Sequence, residues 1–425
     1  MPPIQDHPER YRLANELHAR PFPVAEAPGR AVYLALKKVE NAVARDRAAD
    51  RAHLVDLLDR HGAPHPQPDA THYAGRIGKH MLKWESHTEF VTYTVFQSGE
   101  TDRPFDPAHF AVFPEDWLAT APAERLTSAI LHIERAAGDA GLAERADDWM
   151  VAEGLAMSRV LDDQLVIAAD FHIDPGGHMR FAVFARPGTG ERRIGRVVQR
   201  LCEIETYKAA AMLGLFRVRA LGPELGQVDA RLSALMADMA GRERAPEAML
   251  DDLLATSARL ESLIAEASFR LSATAAYEAI VNQRVEVLRE TRFAGRQTLR
   301  EFMTRRFDPA MRTVAATRAR MEQLSGRAAR ASDLLRTRVD VDRTASSQAL
   351  LESMDRRAAL QLRLQHTVEG LSVVAISYYA VGLALYMLGP LGAAVGVEKG
   401  LMAALVAPAV ILAVWWGLRR IRAGL

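Results

Sequence analysis

Along most of the chain apolar residues are interleaved with polar ones, but towards the C-terminal end the alternation stops. No charged residue stands between Glu369 and Glu398, and none between Lys399 and Arg419. Residues 371–388 and 401–418 are apolar nearly all round. Each stretch approaches the roughly 20 apolar residues a helix needs to cross a bilayer core. Helices of a soluble core are usually amphipathic, so a buried soluble pair is the weaker reading. Gly389-Pro390 ends the first stretch, and the linker to Gly400 is short and rich in glycine. The pattern predicts a membrane hairpin with spans at about 370–389 and 400–418.

Upstream the periods change. Runs rich in aromatic and β-branched residues predict strands over 31–37, 73–84, 88–97 and 126–134. Residues 155–173 and 178–185 read as a hairpin across Asp174-Pro175-Gly176-Gly177. A helix is expected over 41–61, with Ala44, Ala48, Leu54, Val55 and Leu58 near one face and Gly62 as its stop. After Gly190 the spacing is helical throughout. Ile194, Val197, Val198, Leu201, Ile204, Ala211 and Leu215 fit a helix that Leu221-Gly222-Pro223 breaks. Further helices are expected to about 240 and from about 246 to 306. Asp308 and Pro309 then read as N-cap and first residue of a last helix that runs into the membrane. Val314, Thr317, Met321, Leu324, Ala328, Ala331 and Leu335 form a heptad seam, to be covered by the returning arm, by other copies of the chain, or by both.

The fold class is therefore α+β. Residues 1–190 form a mixed α/β cytoplasmic domain, 191–366 helical arms and a coiled-coil-like stalk, and 367–425 two transmembrane helices with a basic tail. Arg356, Arg357 and Arg363 precede the first span, and Arg419, Arg420 and Arg422 follow the second. Basic flanks stay on the cytoplasmic side, which places both termini in the cytoplasm and the chain in an inner membrane. Met1–Pro2–Pro3 and the residues after them lack a basic region followed by an apolar run, so no signal peptide is expected.

Composition narrows the function classes. A net charge of +1 over 425 residues gives no global field for nucleic acid. A single cysteine, Cys202, rules out an intramolecular disulfide and a cysteine-based zinc site. No Walker loop, GxGxxG, GxSxG or HExxH stands in readable form, and no enzyme activity is expected.

Three stretches, RYRLANELHARPF (10–22), KWESHTEFVTYT (83–94) and LQLRLQHTVEGLSVVAISYY (360–379), resemble a bacterial family of uncharacterised membrane-anchored proteins. The resemblance covers nearly the whole chain and implies membrane attachment without supplying an activity. In architecture, residues 245–425 resemble CorA-type magnesium channels, which implies a homo-oligomer, a pentamer in that family, with the first spans lining a pore. The family's Gly-Met-Asn filter does not stand here, where the sequence reads Tyr386-Met387-Leu388-Gly389-Pro390. Ser377, Tyr386, Met387 and Glu398 are the pore and filter candidates.

On a regular strand Glu85, His87 and Glu89 fall on one face, with Lys83 and Tyr93 beside them and Leu82, Trp84 and Phe90 opposite. Carboxylates with an imidazole suit a divalent cation. The competing reading is a solvated sheet face with charge pairs. Tyr11, His18 and Arg20 form an N-terminal polar cluster suited to a phosphate or carboxylate, or to pinning that segment by hydrogen bonds. Three functions follow as expectations: first a cation channel or cation-responsive assembly with a non-standard filter, as its alternative a non-transporting module tethered to the membrane, and last a membrane-tethered hydrolase using Glu85, His87 and Glu89.

Overall fold

A computed structural model describes residues 4–11, 13–14, 22–241, 244–395 and 398–422. The chain is α+β and divides into two compact units, Met1–Arg242 with Asp251–Ala331, and Glu243–Leu250 with Ser332–Leu425.

The first unit is built on a nine-stranded sheet. Its strands are β1 (Gly29–Lys37), β2 (His72–Ile77), β3 (His80–Ser86), β4 (Phe90–Ser98), β5 (Glu124–Arg135), β6 (Ala156–Val160), β7 (Leu165–Ala169), β8 (Met179–Ala185) and β9 (Thr291–Arg292). They lie in the order β2-β3-β4-β1-β5-β8-β7-β6-β9. Every strand pair is antiparallel except β5 with β8. The strand expected over 73–84 is in fact a hairpin. Ile77 pairs with His80, and Gly78 takes a φ of 57° that suits a residue without Cβ. The expected hairpin after residue 155 is likewise three strands, because Leu161, Asp162 and Asp163 all turn with positive φ.

One face of β1–β4 carries helix α1 (Arg47–Arg60) and the short helix α2 (Glu115–Ala119). Asp46 starts α1 by accepting hydrogen bonds from the Ala48 and Ala49 amides. Leu54, Leu57, Leu58, Ile77 and Phe113 expose 1% of their surface or less, each burial being worth about 1.5–3 kcal/mol. Val55, expected on that face, stays half-exposed while Leu57 takes the core position. A second apolar cluster joins helix α3 (Leu142–Trp149) to β6, β7 and β8 through Leu142, Ala146, Met157, Val166 and Phe184.

The opposite face is covered by helix α4 (Glu191–Ala240), whose Ile194, Val197, Val198 and Leu201 are buried. The break expected at Pro223 does not occur; Leu221, Leu225 and Val228 stay buried on both sides of it. Helix α5 (Pro246–Glu286) runs back along α4. Arg217 meets Glu266 at 3.0 Å and Thr274 donates to the Ala211 carbonyl at 3.3 Å. The arm expected to reach 306 ends at Glu286. A connection with β9 follows, and Thr298 with Glu301 forms a capping box that begins helix α6 (Leu299–Arg306). Helix α7 (Asp308–Val395) then packs the seam of Met311, Val314, Met321, Leu324, Ala328 and Ala331 inside the chain. Asp229 holds Arg320 and Arg327 at 2.7 and 2.9 Å.

In the second unit, residues 336–370 of α7 are almost all exposed, Leu350, Leu351, Met354, Leu360 and Leu364 among them. The helix continues through Gly389 and Pro390, where an end was expected, and helix α8 (Lys399–Arg422) follows. Two helical stretches, within Leu299–Leu391 and over Lys399–Gly417, are long and apolar enough to cross a membrane. Only 6% and 0% of their most apolar windows are buried, unlike the core helix of a soluble protein.

Candidate functional site

The segment Glu85-Ser86-His87-Thr88-Glu89 is not a strand face. β3 ends at Ser86 and β4 starts at Phe90, so the chain turns between them. Arg45 holds the turn. Its guanidinium donates to the Ser86 hydroxyl at 3.0 Å and the His87 carbonyl at 2.5 Å, also reaches the Thr88 carbonyl, and pairs with Asp50 at 2.7 Å. The turn separates Glu89 from the other two expected metal ligands: Glu85 and His87 both line a small cavity under helix α4, and Glu89 does not. Glu85 pairs with Lys83 at 2.9 Å, and the half-buried His87 ring packs on Phe90 with centroids 4.6 Å apart. Glu89 is fully buried and receives the Arg270 fork, the Tyr277 hydroxyl at 2.8 Å and the Lys37 ammonium at 3.5 Å. Among the described residues no three His, Cys, Asp or Glu side chains are grouped to hold a metal ion. The register also corrects the neighbours. Tyr93 pairs with Trp84 and points with it into the α1 core, while Phe90 lines the Lys83 and Glu85 face.

Glu89 thus ties the sheet to α5. Burial opposes its charge, but the hydrogen bonds of Arg270 and Tyr277 and the charges of Arg270 and Lys37 outweigh this and hold its carboxyl below the ordinary value. Under α4, Tyr33, Lys83, Glu85, Thr92, Cys202 and Thr206 enclose a cavity of about 20 Å³, room for about one water. Burial raises the Cys202 thiol well above its ordinary value, the state of an inert structural cysteine.

The other expected positions scatter. Tyr11 is exposed; His18 and Arg20 lie outside the described residues. Tyr386 and Met387 are strongly exposed on α7. The Glu398 carbonyl accepts from the Leu401 and Met402 amides and so starts α8. Ser377 is buried and, among the described residues, its hydroxyl has no hydrogen-bond partner, whereas Ser372 donates to the Val368 carbonyl in the usual way.

The site that sequence reasoning missed is a cleft of about 610 Å³ in the first unit, lined by Arg193, Arg196 and Arg200 of α4 and by Arg289 just after α5. Its frame is fixed. The Leu161 amide donates to the Leu288 carbonyl at 2.9 Å, joining the β6–β7 turn to the end of α5. Arg193 donates to the Gln164 amide oxygen, and Arg289 pairs with Asp162 at 2.8 Å. Arg196 and Arg200 are different. Both are half-buried, and among the described residues neither has a carboxylate within ion-pair distance. Arg200 donates to the Val287 carbonyl at 3.3 Å, and Arg196 lies over the Phe22 ring at 5.5 Å. Burial first, then the like charges of Arg196, Arg284 and Arg289, push the Arg200 guanidinium below its ordinary value. The spacing of Arg193, Arg196 and Arg200, three and then four residues, was legible as one helical face. Arg289, far along the chain, was not.

The fold and its surface define an α+β protein with a compact sheet unit and two apolar helices long enough for a bilayer. The chain belongs to the family described as protein of unknown function DUF3422, whose family model matches residues 5–425. That match carries the resemblance to an uncharacterised family and gives none to CorA-type channels. No curated protein and no solved structure matches the chain.

Proposed function

We propose that the chain is a two-span inner-membrane protein whose sheet unit works as a non-transporting binding module on the cytoplasmic side. The observation that carries this reading is the exposure of two apolar helical stretches, of whose most apolar windows only 6% and 0% are buried among the described residues. Water does not tolerate such surfaces, and a lipid bilayer is the partner that suits their length. Arg356, Arg357, Arg363, Arg419 and Arg420 flank them and favour a hairpin with both chain ends in the cytoplasm. The exposed leucines of 350–364 favour a homo-oligomer built along that segment.

The expected outcome is that membranes washed with alkaline carbonate retain the chain, and that Leu383→Arg combined with Leu405→Arg and Leu412→Arg, which burdens both spans, releases it, since each central arginine costs about 2.5–3.5 kcal/mol. Release of the unaltered chain by carbonate would contradict the tether. A second reading, cation conduction between copies, is favoured by the Ser377 hydroxyl, which among the described residues lacks a partner inside an apolar stretch. It requires divalent cation flux in vesicles that Ser377→Ala abolishes; the binding-module reading predicts no flux above empty vesicles.

A further inference from the structure

We propose that the arginine cleft of the first unit binds a phosphoryl group, presented by a small soluble compound or by a lipid headgroup. Three of its four guanidiniums come from α4 and the fourth from the turn after α5, and the frame that sets them is held by backbone hydrogen bonds. Four like charges in one cleft cost stability unless something answers them. Asp162 answers Arg289, and Glu203, which is bonded to Arg284, acts on Arg200 from one turn along α4, but among the described residues neither Glu203 nor Glu286 reaches ion-pair distance of Arg196 or Arg200. The missing charge is therefore that of a ligand.

Its chemistry follows from the donors. A guanidinium is a planar fork that suits carboxylate or phosphoryl oxygens. A single carboxylate has two coplanar oxygens and one charge. A phosphoryl group presents three oxygens out of one plane and nearly two charges, which suits forks converging from separate elements. Leu161 and Val287 are the apolar side chains of the lining, so the part of the ligand that enters the cleft is hydrophilic, and any large ring or acyl chain stays outside it. A cleft of about 610 Å³ is ample for a molecule of small-metabolite size. The phosphoryl group can belong to a soluble compound or to a lipid headgroup.

This inference deepens the binding-module reading and rests on it, yet the two fail separately. Carbonate release would leave phosphate binding untouched, and loss of phosphate binding would leave the chain in the membrane. The test is calorimetric titration of the full chain in detergent with inorganic pyrophosphate. Saturable binding is expected. Arg196→Gln combined with Arg200→Gln should weaken it at least about tenfold. Arg231→Gln, outside the cleft, should leave it unchanged. The double variant gives up the Arg200 bond to the Val287 carbonyl and the Arg196 contact with Phe22 but also relieves the repulsion among the arginines, so without ligand it should melt close to the parent's temperature, which separates lost binding from lost folding. Dihexanoyl phosphatidate, with dihexanoyl phosphatidylcholine as its control, forms the lipid arm. Tighter binding of phosphatidate than of pyrophosphate, weakened by the same double variant, assigns the group to a headgroup; the reverse order assigns it to a soluble compound. No saturable binding of either probe at millimolar concentration, equal binding by the double variant, or tighter binding of citrate than of both would overturn the proposal.

Discussion

Glu89 stands between two cations and a phenol with none of its own surface exposed, so its replacement leaves an uncompensated charge behind. Glu89→Gln keeps the shape but strands Lys37 and Arg270. A loss of about 3–5 kcal/mol in unfolding free energy is expected, measured by denaturant titration. A change of less than about 0.5 kcal/mol would mean that solvent, not Glu89, balances those cations. Histidines set a second property. His53 is buried, bonded to the Tyr93 hydroxyl and the Trp117 carbonyl at 3.0 Å each. Burial lowers its pKa, and likewise those of His80, His109 and His178, from the ordinary 6.5. The unfolded chain then takes up protons more readily than the folded one, so stability present above pH 6.5 declines as pH falls below it. Glu89 adds to this lower down, its contribution being lost as pH drops from the ordinary 4.5 through its lowered value. The melting temperature should fall steadily from neutral pH to about pH 5. A flat or rising profile would show these groups to be solvated.

At the scale of elements, the helices pack where small residues let them. A Cβ on Gly214 of α4 would lie 2.2 Å from the Thr274 hydroxyl oxygen of α5, and Thr274 is itself buried. Gly214→Ala therefore overpacks this contact, and a cost of about 1–3 kcal/mol is expected in thermal or denaturant unfolding. Stabilisation, the usual result of Gly→Ala on a helix surface, would contradict the close approach. Much of this level was legible in the sequence. The strand-to-helix change after Gly190, the seam from Val314 to Ala331 and the two apolar stretches all rest on periodicity, and all three stand in the structure apart from the two-residue strand β9, which pairs with β6 where helix was expected. What escaped depends on tertiary context. Pro223 reads as a break, but the buried seam around it outweighs the roughly 3 kcal/mol a proline costs inside a helix. Residues 287–298 contain no proline and read as helix, yet Phe293 is buried in the α3 cluster and Arg289, Ala294 and Gly295 turn with positive φ. The 86–90 turn is set by Arg45, a residue distant in sequence. The arginine cleft was half legible, since three of its arginines share a helical face while the fourth joins them through the fold.

For the whole molecule, the proposed hairpin puts Glu398 on one side of the membrane and the sheet unit on the other. The chain is suited to a direct test, because its single cysteine, Cys202, is buried. Glu398→Cys and Asp102→Cys each add one exposed thiol, the first at the start of α8 and the second on the sheet unit. The decisive measurement is labelling of these two variants with a membrane-impermeant maleimide in right-side-out and in inverted membrane vesicles. If both apolar helices cross the bilayer, Glu398→Cys reacts only in right-side-out vesicles and Asp102→Cys only in inverted ones. Reaction of both thiols from the same side would contradict the two-span hairpin and the tethered module built on it.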